Sequence, residues 1–109
     1  MKVSDRYEDI VELVSRAEVA IAWREREDPG DWAMTAFSRY RVAEMLGIRP
    51  RSGGRVELSA DPVALLAEAA RSADQLVVLS EHQSWRSSLA EALRGALADV
   101  RMVCGARDV

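Results

Sequence analysis

The sequence predicts an α/β protein. An N-terminal antiparallel helical hairpin is followed by a β-α-β-α-β unit. Its three-stranded parallel sheet, in the order 1-2-3, forms the middle of a three-layer α/β/α sandwich. Three observations lead there. A narrow apolar stripe at helical spacing opens the chain. Two Asp-Pro pairs, Asp28-Pro29 and Asp61-Pro62, place an acidic N-cap before a first-turn proline, the signature of a helix start. The apolar run Leu76-Val77-Val78-Leu79, without alternation, and the segment 100–104 read as strands.

In the first helix Val3, Tyr7, Ile10, Val14, Ala17 and Ile21 recur at spacings of 4, 3, 4, 3 and 4. Val11, Leu13 and Ala20 widen that stripe, and Ser4 stands where a cap is needed. Glu25, Glu27 and Asp28 bring negative charge to the unfavourable end of the helix dipole, so the predicted end lies near Arg26. A second helix is predicted over 29–46, with Asp31 in its first turn and Gly47 as its stop. Its expected apolar face is Ala33, Ala36, Phe37, Tyr40, Ala43 and Leu46, with Trp32 at the entrance. The short link makes the two helices antiparallel neighbours.

The hairpin is assigned to residues 1–47, an Arg/Gly linker loop to 48–54 and the β-α-β-α-β unit to 55–109. Alternating polarity over 55–58 reads as an edge strand. A helix over 62–72 presents Val63, Leu66, Ala67 and Ala70. Residues 75–80 hold the run Leu76 to Leu79, apolar on both faces, which predicts a central strand with Val78 wholly buried. A third helix begins at Glu81 or Trp85 and runs to Ala98, carrying Trp85, Leu89, Ala92, Leu93, Ala96 and Leu97; Ser80 and Gln83 have capping-box spacing. Strands alternating with helices imply parallel pairing with right-handed crossovers. The whole chain of 109 residues is expected to form one domain.

Composition narrows the function classes. A hydrophobic fraction of 49% argues against intrinsic disorder. No apolar run approaches the roughly 20 residues that span a bilayer, so no membrane role is expected. No charged-then-apolar leader follows Met1, and Cys104 is the single cysteine, which together predict a reducing, cytoplasmic setting. The net charge of −3 disfavours broad binding to nucleic acid. Only the segment 48–57, with Arg49, Arg51 and Arg55 against Glu57, is locally basic. Lys2 is the lone lysine beside many arginines and alanines, a usage expected of a GC-rich genome.

Arg41-Val42-Ala43-Glu44-Met45-Leu46-Gly47-Ile48 resembles the first helix and turn of a helix-turn-helix domain of the MerR or excisionase type, which would imply DNA binding. Arg49-Pro50-Arg51-Ser52-Gly53-Gly54 follows, where Pro50 and two glycines oppose a recognition helix. Residues 55–104 resemble the C-terminal half of a universal stress protein. However, Ser80-Glu81-His82-Gln83-Ser84 lacks the glycine series of its ATP-binding members. Residues 75–103 also resemble the opening of a response-regulator receiver, without the paired acids of its first strand. Each likeness stops short of the chemistry, and no family is assigned.

A parallel sheet binds ligands beyond the carboxyl ends of its strands. That edge is expected to collect Ser59, Asp61, Ser80, His82, Ser84, Trp85 and Arg107, as a polar site for a small anionic ligand or nucleotide. Helix capping and loop solvation account equally for these residue types. Arg49, Arg51 and Arg55 form a second candidate anion contact, or a solvated linker. No Gly-x-Ser-x-Gly elbow accompanies the hydroxyls and His82, so no catalytic residue is assigned. Neither a metal nor a cofactor is expected, with one histidine and one cysteine in the chain. Leu13, Val19 and Trp23 lie off the first helix's stripe and form a candidate partner surface. The leading expectation is a non-catalytic regulatory or adaptor module that binds protein, with a homodimer through the hairpin. A small-anion binder and a DNA-binding regulator are the alternatives.

Overall fold

The computed structural model describes residues 3–48 and 61–107, with side chains for 6–48 and 61–105. Every regular element among them is helical. In chain order these are α1 (Val3–Glu27), α2 (Pro29–Ala33), α3 (Ala36–Leu46), α4 (Pro62–Asp74), a 3-10 turn (Ser80–His82) and α5 (Gln83–Arg107). The expected sandwich is therefore replaced by a helical bundle, with no strand among the described residues. The expected linker beyond Ile48 and the expected edge strand 55–58 lie outside them.

The two remaining strand expectations fail for different reasons. Residues 76–79 form an irregular connection in which Leu76 is buried and Val78 half-buried, while Val77 is 73% exposed and Leu79 68%. A central strand would bury all four; here only alternate residues turn inward. Residues 100–104 continue α5. Leu89, Leu93, Ala96, Val100 and Val103 are all buried, so one stripe at spacings of 4, 3, 4 and 3 runs through the helix without a break.

The α1 stripe is wider than the narrow expectation. Ile10, Leu13, Val14, Ala17, Ala20 and Ile21 are all buried, and Arg24 and Arg26 in its last turn suit the dipole. The expected helix over 29–46 is broken at Met34-Thr35. Thr35 Oγ1 donates to the carbonyl of Trp32 at 2.7 Å, and the backbone N–H groups of Met34 and Thr35 bond to Asp31 and Trp32. Three-residue bonds and a hydroxyl competing for a carbonyl tighten the chain there and re-aim it. Gly47 stops α3 at φ 68°, where a side chain would be strained. Asp61 caps α4 by accepting from the Val63 N–H at 3.0 Å, ahead of Pro62. Asp28 makes no such side-chain bond to α2.

The packing runs α1 on α4, α4 on α5 and α5 on α3. Side chains close the ring between α3 and α1: Tyr7 donates to the Leu46 carbonyl at 3.1 Å, and Arg39 bonds to Glu18. Chain directions follow from these contacts. Tyr7, early in α1, meets the end of α3, and Ser38, early in α3, meets Asp99, late in α5. The end of α4 meets the beginnings of both long helices, because Arg6 early in α1 donates to Gln75 Oε1 and Arg86 early in α5 donates to the Asp74 carbonyl. So α3 and α4 both run against α1 and α5. One core joins the four, with Ile10, Ile21, Trp32, Leu66, Leu89 and Leu93 among its largest fully buried side chains. Burying each such side chain stabilises the bundle by about 1.5–3 kcal/mol.

Candidate interaction surface

Rotation of α3 about its axis decides what the molecule shows to solvent. The expected apolar face of this segment is mostly outside: Phe37 is 86% exposed and Tyr40 65%, and Ala33 is exposed as well. The inward stripe is Trp32, Thr35, Arg39, Val42 and Leu46, with Arg39 partly covered and the others buried. Two polar residues thus occupy core positions, and both are held. Arg39 grips Glu18 of α1 through Nε at 3.1 Å and Nη2 at 2.8 Å. Its Nη1 donates to Thr35 Oγ1 at 3.1 Å and lies 3.6 Å from Glu25. Burial works against the guanidinium charge, but the hydrogen bonding and attraction of Glu18, then Glu25, outweigh it and raise the pKa above its ordinary value. The Trp32 indole N–H, fully buried, has no hydrogen-bond partner among the described residues.

With that stripe turned inward, Phe37 and Tyr40 project from α3, Met34 (73% exposed) from the turn just before it, and Met102 from α5 at 66%. Ser38 Oγ donates to Asp99 Oδ2 at 2.6 Å and fixes the register of the two helices. Beside this bond runs an open groove of about 420 Å³. Its α3 wall is Phe37, Ser38 and Arg41; its α5 wall is Glu91, Ala92 and Gly95. Gly95 is exposed and leaves open space on that wall: a Cβ there would meet nothing within 4 Å. Arg94 at the groove is held by Asp74 at 3.1 Å. Arg41 and Glu91 are exposed and have no ion-pair partner among the described residues.

The expected strand-end site loses the sheet that was to assemble it. Ser80 and His82 sit in the exposed 3-10 turn, where His82 lies 3.6 Å from its neighbour Glu81, and Ser84 is exposed in the first turn of α5. Trp85 is half-buried against the core and tilts on the Tyr7 ring at 6.1 Å. Arg107 ends the same helix, roughly 33 Å away at 1.5 Å per residue. Asp61 stands at the opposite end of α4 from the Ser80 turn, with its carboxylate used as a cap. Ser59, Arg49, Arg51 and Arg55 fall outside the described residues, as does whatever follows the helix-turn-helix-like stretch ending at Ile48.

The expected partner surface on α1 divides. Leu13 is 9% exposed and belongs to the core, Val19 is half-buried, and Trp23 is 41% exposed. A helix of this length covered by two neighbours buries a broad face, which takes Leu13 in. Among the described residues no three His, Cys, Asp or Glu side chains converge as metal ligands. No described helix is long and apolar enough to cross a membrane. Comparison with protein-family models, curated proteins and solved structures finds no match to this chain.

Proposed function

We propose that this chain is a non-catalytic regulatory or adaptor module that works by binding protein, and that the α3–α5 face is where it does so. The observation that supports this most is the orientation of α3. Thr35 and Arg39 take core positions while Met34, Phe37 and Tyr40 stand in solvent. Leaving each of those large side chains wet forgoes about 1.5–3 kcal/mol of burial. Aromatic residues, methionine and arginine are the types enriched at interface centres, and a clustered apolar patch on a small protein marks a contact surface. A cytoplasmic setting belongs to the same reading, supported by Cys104 as the single cysteine of the chain.

The test is photo-crosslinking in cells. A benzophenone amino acid replaces Phe37 in one variant and Glu68, exposed on the far side in α4, in another. The expected result is a discrete protein adduct at position 37 and none at 68. The absence of any adduct at 37, with the variant folded, rejects the reading.

A further inference from the structure

We infer that the occupant of the α3–α5 face is a second copy of this chain, related by a two-fold axis that runs along the groove between the two helices. The inference rests on the docking reading above and adds the identity of the partner.

The groove is self-complementary. Because α3 and α5 are antiparallel in the register set by Ser38 and Asp99, Arg41 and Glu91 lie toward one end of the face, and Met34 and Met102 toward the other. A two-fold rotation about an axis along the groove lays the second copy's α3 over this α5, and its α5 over this α3. Phe37 of the second copy then stands over the Gly95 side of the groove, where there is open space for a ring. Arg41 of the second copy faces Glu91, and its Met34 faces Met102. Each contact occurs twice, as an isologous interface requires.

The charge pattern of this face, rather than the net charge, suits a second copy. The chain carries a net charge of −3, so two copies repel on average. This face is where that repulsion is relieved, because it offers one unpaired positive and one unpaired negative side chain toward the same end. Neither Arg41 nor Glu91 is used within the described chain, while the neighbouring Arg94 is neutralised by Asp74. Two such cross-pairs, one on either side of the axis, lie at one end of an apolar strip formed by Phe37 and the Met34 and Met102 side chains, beside open space at Gly95.

The experiment is sedimentation velocity over a concentration series reaching the millimolar range. It uses the full chain, Arg41→Glu, Glu91→Arg, and an equimolar mixture of the two variants. Both positions are exposed, and circular dichroism with thermal melting confirms that each variant stays folded. The expected result is a reversible dimer of the unaltered chain, at least about tenfold weaker in each single variant. The mixture recovers the dimer. Across a heterodimer the introduced glutamate meets the introduced arginine, and the retained Glu91 of one variant meets the retained Arg41 of the other. A chain that remains a monomer throughout, or a dimer indifferent to both reversals, overturns the inference. A crosslink from position 37 to a different protein, with a monomer in sedimentation, removes the second copy and leaves the docking reading standing. The absence of any crosslink removes both.

Discussion

Arg39 of α3 closes on Glu18 of α1 through two guanidinium nitrogens, with Nη2 2.8 Å from Oε2, and the two side chains are only 13% and 21% exposed. This grip fixes which side of α3 points inward. Removal of either partner strands the other in a mostly covered place. Arg39→Ala and Glu18→Ala are each expected to lower unfolding free energy by about 2–3 kcal/mol. The double variant should fall short of the sum by about 1–2 kcal/mol. Urea denaturation of the four proteins measures this, and strict additivity would contradict the pair.

Trp32 separates two effects at one position. Its ring is fully buried and its N–H unpartnered among the described residues. Trp32→Ala should destabilise by about 3–5 kcal/mol through the cavity. Trp32→Phe removes the unpaired N–H along with part of the ring, so its loss should stay below about 2 kcal/mol. Equal losses in denaturant titrations would show that the N–H is satisfied after all.

The connection before α5 tests the absence of a central strand. Leu76 is 1% exposed and Val77 73%. Leu76→Ala is expected to lower stability by about 2–4 kcal/mol, while Val77→Asp stays within about 0.5 kcal/mol of the unaltered protein. A severe loss at Val77 would restore the buried strand.

Gly95 sits mid-helix in α5 with nothing near its missing Cβ. Gly95→Ala should therefore raise the stability of the isolated chain by about 1 kcal/mol through helix propensity alone. A larger residue there, Gly95→Leu, should leave the fold intact yet weaken self-association, which thermal melting and sedimentation read separately.

The helical first half was legible because Ile10, Val14, Ala17 and Ile21 repeat without interruption and Gly47 punctuates the end. The inward face of α3 was hidden by Thr35 and Arg39. A search for apolar spacing passes over them and selects Phe37 and Tyr40 instead, the residues that the bundle leaves outside. The one available signal was Glu18, a carboxylate near the α1 stripe that calls for a cation on the neighbouring helix. In the second half, Val100, Val103 and Cys104 have strand-like chemistry, and that preference masked the continued spacing from Leu89 onward. No glycine or proline separates Ala98 from Val100, and this absence of punctuation carried the correct reading. The strand-end cluster depended on the sheet and dispersed with it. The exposed α3 face could not be read before the polar stripe was recognised.

Of the four longer helices, α3 is anchored most lightly. Its backbone approaches closely only α5, and toward α1 it is joined by the side chains of Arg39 and by the Tyr7 hydroxyl bond to Leu46. Local opening is therefore cheapest there, since few buried apolar contacts must be surrendered. In hydrogen exchange the amides of residues 39–46 should lose protection before those in the middle of α1, α4 and α5. The segment that offers Phe37 to a partner is then also the segment that breathes, and occupation of its outer face would slow its exchange.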